Sequence, residues 1–317
     1  MKKSAYILYG LVLLLSACSR EEESLFNQSA AERLNEMREK TMGYLTAAPN
    51  GWELRYFPYA QATGYALLCH FDEDMSVMVA AKNSVVNDQY KTERSMWDID
   101  FTQSVVLTFN SYNPLLSIFA DPMSDGIGYG GDYEFVILSS SPEAIKLKGK
   151  KTGAYIDLLP LDANQNWEDY YTQIDRINER TFLGNEGLLM YYNGYDTLLT
   201  MTYQDGGQMT YTRNDMDTTL GFVITPSGIH FYSSTPNLTG AETKDFVLNE
   251  TLTRLVCTTD NNYFFSSYYD IVQYFDVKLA QHAYWRFNPD YSDLTTQAAL
   301  QVLNQTVGAK GATISKI

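Results

Sequence analysis

Leu34, Met37, Thr41, Tyr44, Leu45 and Ala48 fall three or four residues apart, the spacing of one face of a helix. Just ahead, Ser29-Ala30-Ala31-Glu32 forms a capping box, in which the Ser hydroxyl and the Glu carboxylate each take one free amide. Pro49-Asn50-Gly51 stops the run, so a helix is predicted over 29–48. From Trp52 the period changes to two. Trp52, Leu54 and Tyr56 alternate with Glu53, Arg55 and Phe57, and Tyr65, Leu67, Cys69 and Phe71 line one face of the next strand. Asp72-Glu73-Asp74 turns the chain and Val77–Ala81 returns it. Further strands are predicted near Arg94–Phe101, Val105–Phe109, Leu115–Phe119, Tyr133–Ser139, Ala144–Lys148 and Tyr155–Pro160.

Between 162 and 180 the pattern breaks. Trp167, Tyr170, Tyr171, Ile174 and Ile177 lie at helical spacing among acids and amides, which predicts a linking helix. Strands resume near Leu188–Tyr192, Leu198–Tyr203, Met209–Arg213, Leu220–Thr225, Ile229–Tyr232, Phe246–Glu250 and Thr253–Thr258. Asp205-Gly206-Gly207 is a hairpin turn, because Gly takes positive φ at no steric cost. Phe264–Leu279 has partial helical spacing and Leu294–Val307 reads as a helix. Short strands with frequent turns indicate a mainly β chain: two antiparallel sandwich or barrel-like modules at 49–161 and 181–317, the second with a mixed C-terminal part. A weak repeat sets Phe135–Ile137, with Ile145 to Leu147 after it, beside Phe222–Ile224, with Ile229 to Phe231 after it. Two related modules account for it, and so does chance likeness between apolar hairpins.

The first 28 residues follow different rules. Lys2 and Lys3 precede an apolar run from Tyr6 to Leu15, too short to span a bilayer as a helix and suited to the core of a secretory signal. Leu15-Ser16-Ala17-Cys18 then forms a lipobox. Residues 1–17 are therefore expected to be removed, and Cys18 to carry the acyl chains that hold the protein to a membrane. The tether at 18–28 contains Glu21, Glu22 and Glu23, a solvated charge run that resembles the export signal of surface lipoproteins. Removing Lys2 and Lys3 from the 23 basic residues leaves 21 against 38 acidic ones, a formal charge of −17. Nucleic acid is thereby excluded as a partner, since phosphate binding needs Lys and Arg clusters. Beyond Cys18 only Cys69 and Cys257 remain; they are the candidates for an intrachain disulfide in an oxidising compartment, and buried free thiols are equally ordinary in such apolar runs.

Candidate chemistry is sparse. His70, His230 and His282 are in no zinc-type spacing, and no nucleophile elbow occurs. Asp98 and Asp100 share the face opposite Trp97 and Ile99, a solvent face by default. Asp121, Asp125 and Asp132 stand at positions of an EF-hand-like loop and are the candidate calcium ligands. Met123 occupies a ligand position, however, and strands rather than helices flank the loop. The alternative is a wide turn in which Gly128, Gly130 and Gly131 supply positive φ. Tyr is in excess at 25 residues. Beside Asn, Asp and Arg, such rings suit stacking and directional hydrogen bonds to carbohydrate or peptide, with Trp97, Tyr192, Tyr195 and Trp285 as candidate contacts. Strands favour Tyr on their own account as well.

Several segments together carry a family likeness: Ser29 to Leu34, Ala48-Pro49-Asn50-Gly51-Trp52, Phe71 to Asp74, Tyr112 to Leu116 with Phe119 to Pro122, Gly130 to Phe135, and Leu147 to Gly153. They resemble a family of Bacteroidetes lipoproteins known as a domain of unknown function, most closely from the lipobox to about residue 160. Its members are typically encoded beside starch-utilisation-type outer-membrane uptake pairs, often with a zinc metallopeptidase lipoprotein. The resemblance implies an accessory role in glycan or peptide capture and supplies no catalytic residues. The expectation is a non-catalytic, surface-exposed outer-membrane lipoprotein. The alternatives are a hydrolase whose acids meet only in the fold, and a structural subunit of an uptake complex without its own ligand.

Overall fold

A computed structural model describes residues 29–101, 103–122, 128–182, 187–192, 196–204, 207–213, 215–250 and 254–267. The leader, the tether, Leu294–Val307 and the part of Phe264–Leu279 after 267 lie outside them. The first helix, α1, spans Ala30–Ala47, and the expected capping box is present: the Ser29 backbone N–H donates to Glu32 Oε2 (2.8 Å) and the Glu32 N–H to Ser29 Oγ (3.2 Å).

Eight antiparallel strands follow: β1 (Trp52–Tyr56), β2 (Tyr65–Phe71), β3 (Ser76–Ala81), β4 (Lys91–Asp100), β5 (Val106–Phe109), β6 (Glu134–Ser140), β7 (Ile145–Gly149) and β8 (Tyr155–Pro160). Each pairs with the next, and β8 returns to β1 with Trp52 opposite Pro160, so the sheet closes into an up-and-down barrel. The choice between sandwich and barrel is settled by that last ladder. An eight-stranded barrel is just wide enough for side chains to fill, and here they do. Trp52, Leu54, Tyr56, Leu67, Cys69, Phe71, Trp97, Phe135 and Leu158 are all buried in one core.

Both mouths of this barrel are covered. At one, α1 lays Leu45 and Ala48 on the core, Thr41 Oγ1 donates to Ser140 Oγ (2.8 Å), and Trp52 Nε1 donates to the Leu45 carbonyl (3.0 Å). At the other sits the segment expected as a strand at Leu115–Phe119. It is instead a 3-10 turn at Ser117–Ala120. Asn113 dictates this: its side-chain oxygen accepts from the Leu115 N–H (3.0 Å) and its own N–H donates to Ser117 Oγ (2.9 Å), so the backbone is satisfied locally rather than in a ladder. Leu115, Leu116 and Phe119 are thereby free to plug the mouth against Tyr56 and Tyr65.

The second helix, α2 (Trp167–Thr181), starts at Asn166, whose side chain accepts from the N–H groups of Glu168 and Asp169. Its apolar face lies on the outside of the first barrel, where Tyr170 and Tyr171 meet Leu68 and Ala80. Lys82 pairs with Asp175 to hold it there.

A second meander follows: β9 (Gly187–Tyr192), β10 (Asp196–Gln204), β11 (Gln208–Arg213), β12 (Met216–Thr225), β13 (Gly228–Phe231), β14 (Asp245–Leu248), β15 (Arg254–Cys257) and β16 (Tyr263–Ser267). The start of the run expected to have helical spacing is thus the strand that pairs with β9 and closes this barrel. Phe222, Phe231, Phe246 and Phe265 fill its interior, and Phe182, the residue that caps α2, stacks on Phe222 at 5.2 Å. Both barrels share one topology, but the repeat seen in sequence does not align them. Phe135 is on the sixth strand of the first barrel and Phe222 on the fourth of the second. That likeness comes from two apolar hairpins at unequal places.

Among the described residues no helix is long and apolar enough to cross a membrane. The barrels bury apolar residues inside and set charged ones such as Arg94, Lys146 and Asp157 outside.

Candidate functional site

The two barrels meet along a seam, and a row of paired charges crosses it. Glu53 and Arg55 occupy the outward face of β1, between the inward Trp52, Leu54 and Tyr56. Arg55 Nε donates to Glu53 Oε1 (2.8 Å), and Arg55 Nη1 reaches across to Asp245 Oδ1 (3.3 Å) on β14. The same Asp245 oxygen lies 2.7 Å from His230 Nδ1 on β13. Cross-strand register extends the row: Arg55 stands opposite Asp157, and Asp157 opposite Lys146, whose Nζ donates to Asp157 Oδ1 (2.8 Å). A parallel aromatic row lies beside it. Phe57 packs edge-on to Tyr232 at 5.2 Å, and the Tyr232 hydroxyl accepts from the Tyr155 N–H (3.1 Å). Lys148, opposite Tyr155, sets its ammonium over the Tyr155 ring at 5.6 Å.

Close backbone approach fixes the seam. The Gly64 N–H donates to the Phe222 carbonyl (2.9 Å) and Gln208 Nε2 to the Gln61 carbonyl (2.7 Å). A Cβ at Gly221 would stand 1.9 Å from the Ala62 oxygen, so only glycine fits there.

Burial and charge act together on these groups. For Arg55, burial favours loss of the proton, but the Glu53 and Asp245 carboxylates outweigh it and hold the guanidinium above its ordinary range. Burial pushes the Asp245 carboxyl up, yet its bond to His230 and the nearby charges of His230 and Arg55 leave it below the usual carboxylate range. Tyr170, buried beside Glu53, is pushed well above the ordinary phenol range by burial and then by that carboxylate. Chemically, the row is a set of paired charges. The bond to Asp245 orients the imidazole, and among the described residues no hydroxyl or thiol hydrogen-bonds to His230.

The residues singled out by sequence fall elsewhere. Trp97 is 1% exposed, inside the first barrel and edge-on to Phe71 at 5.1 Å, so it is a core residue rather than a ligand contact. The alternation that marked it as strand placed it on the inward face. Tyr192 is half-buried, with its ring 4.7 Å from Tyr263 at the margin of the second core. Tyr195 and Trp285 lie outside the described residues.

Asp132 is buried and committed to the β7–β8 hairpin. Its carboxylate accepts from the Lys151 N–H (2.8 Å), the Thr152 N–H (2.9 Å) and Thr152 Oγ1 (2.6 Å). The Tyr56 hydroxyl clasps its backbone, donating to the Asp132 carbonyl (2.9 Å) and accepting from its N–H (3.0 Å). The carbonyl of Asp121 accepts from the Gly130 N–H (3.0 Å), and Asp125 lies outside the described residues. Of the three glycines expected at positive φ, only Gly130 has it, at 66°; Gly128 and Gly131 are required instead by close approach, since a Cβ there would stand 2.0 Å from the Asp121 carbonyl oxygen and 2.3 Å from the Tyr56 hydroxyl. Among the described residues no three His, Cys, Asp or Glu side chains gather as metal ligands. Cys69 and Cys257 are free thiols buried in different barrels, which corrects the disulfide: each alternating run points its Cys into its own core.

Sequence reading passed over Glu53, Arg55, Asp245, Tyr155 and Tyr232, and noted His230 only for its lack of zinc spacing. One signal was available. Phe57 is a large apolar residue on the polar face of its strand, which marks that face as covered.

No curated protein and no solved structure matches the chain significantly. Residues 22–250, from the tether through the first barrel and α2 to β14, match the model of a family described as a domain of unknown function, DUF4302, and the chain belongs to that family.

Proposed function

We propose that the protein is a lipid-anchored, surface-exposed outer-membrane lipoprotein that assists an uptake complex by capturing a glycan or peptide, without catalysis of its own. The observation that carries the binding part is the filled first barrel. Its interior is occupied by side chains and its mouths are covered by α1 and by the Leu115–Phe119 plug, so a ligand is met on the outer surface. The seam supports the non-catalytic part: its charged groups pair with one another, and among the described residues no hydroxyl or thiol hydrogen-bonds to His230. The lipobox ending at Cys18 and the Glu21 to Glu23 run support the address. Protease treatment of intact cells, with Cys18→Ser as the comparison, tests it. The native chain is expected to be shaved and to co-purify with an uptake pair, and the variant to leave the membrane. A protected chain, or one that stays membrane-bound without Cys18, overturns the address; a shaved chain with neither partner nor ligand overturns the role.

A further inference from the structure

Resting on the reading of surface capture, we propose that the seam is a carbohydrate site. Tyr155 is its stacking platform, and Lys146, Asp157 and Asp245 are partners for ring hydroxyls.

The polar row and the aromatic row lie side by side where the two barrels touch. Tyr155 belongs to the aromatic row and is 58% exposed. The residue is nonetheless held: Tyr155 pairs with Lys148 on β7, its N–H donates to the Tyr232 hydroxyl of the other barrel, and the Lys148 ammonium lies over its ring. An exposed but fixed aromatic ring loses little freedom when a sugar stacks on it.

The polar row beside it is paired but not saturated. The Asp245 side chain is 45% exposed and that of Lys146 is 51% exposed. For the two aspartates of the row, Asp157 and Asp245, the seam contacts use Oδ1, and a carboxylate offers about four lone-pair sites in all. A vicinal diol can donate to the remainder, and an ammonium group has donors to spare.

Two features choose the class. The seam sets Lys146, Lys148, Arg55 and the His230 imidazole beside Glu53, Asp157 and Asp245, so neither sign dominates, it offers no strong field to an acidic polymer, and a neutral sugar suits it. Every strand at the seam is also paired on both sides: β7, β8 and β1 in one barrel, β13 and β14 in the other. A peptide therefore finds no strand edge to extend.

The test uses the full-length chain in detergent and calorimetric titration with maltohexaose, cellohexaose, xylohexaose and mannohexaose, with polygalacturonate and a casein digest as rivals. At least one neutral oligosaccharide is expected to bind. Tyr155→Ala is expected to weaken it about tenfold, the worth of one aromatic stacking contact, while Tyr155→Phe keeps it. Tyr155→Leu, a strand-compatible residue without a ring, repeats the loss if the Ala variant fails to fold. Tyr112→Ala removes an equally exposed ring that follows β5, across the barrel from β8, and should change nothing. Binding that survives Tyr155→Ala and Tyr155→Leu, binding of only the rivals, or no binding at millimolar sugar overturns the seam site. Those results leave the surface address standing, since that falls to protection from protease or to membrane retention without Cys18.

Discussion

Gly221→Ala tests the seam most directly. The added Cβ would lie 1.9 Å from the Ala62 carbonyl oxygen, against an ordinary contact of about 3.5 Å, so the β1–β2 loop must retreat by about 1.5 Å. That displacement breaks the 2.9 Å bond from the Gly64 N–H to the Phe222 carbonyl and strains the 2.7 Å bond from Gln208 to the Gln61 carbonyl. Each hydrogen bond is worth about 0.5–1.5 kcal/mol net. Loosening Phe57 against Tyr232 adds about 0.5–1.5 kcal/mol. The lower backbone entropy of an unfolded chain with Ala offsets about 0.4–1 kcal/mol of this. A net loss of about 2 kcal/mol follows, a fall in Tm of about 4–8 °C in a body of this size. Differential scanning calorimetry of the full-length chain measures it. Gly43→Ala is the comparison: Gly43 lies on the exposed side of α1 with nothing within 4 Å of a Cβ, so Ala there should stabilise by about 0.5–1 kcal/mol. If Gly221→Ala melts at or above the native protein while Gly43→Ala behaves as stated, the barrels do not touch as described.

Three further outcomes are expected. Asp245 has a depressed folded pKa, so its contribution is present above the unfolded value of about 3.9 and is lost as the pH falls through the lower folded value. Asp245→Asn should therefore cost up to about 1 kcal/mol at neutral pH, since the group is half exposed, and nothing in strong acid. Urea titrations across pH that show an undiminished gap in acid would contradict this. Asp132→Asn places an amide donor against the Lys151 and Thr152 donors and should cost about 2 kcal/mol with or without calcium, as read by melting in calcium and in chelator. A native Tm that rises with calcium and an Asn variant blind to it would restore the ligand reading. With Cys18 replaced by Ser, thiol titration should find Cys69 and Cys257 unreactive in the native chain and both reactive in denaturant without reductant; a count of zero there means that they pair.

Both α-helices of the described residues and most of their strands were legible from sequence. Each is decided by residues a few positions apart: the Ser29–Glu32 box, the Asn166 cap, the alternation of Trp52, Leu54 and Tyr56. Two elements were misread for the same reason. Leu115–Phe119 and Tyr263–Ser267 are short apolar runs whose period is ambiguous, so a plug was taken for a strand and a closing strand for part of a helical stretch. The site was not legible. Trp97 drew notice by residue type, but strand parity placed it in the core.

By itself, the sequence determined the β-rich class, the helix caps, the division into two modules and the inward face of each strand, because neighbouring residues settle these through backbone geometry and the burial of apolar side chains. Only the tertiary structure decided that each sheet closes, that Cys69 and Cys257 occupy separate cores, and that Arg55 meets Asp245. Arg55 and Asp245 are 190 positions apart in the chain, and no periodicity reaches so far. Their meeting depends on two finished barrels docking through Gly64, Gly221 and Phe57, a contact that exists only once each core has formed.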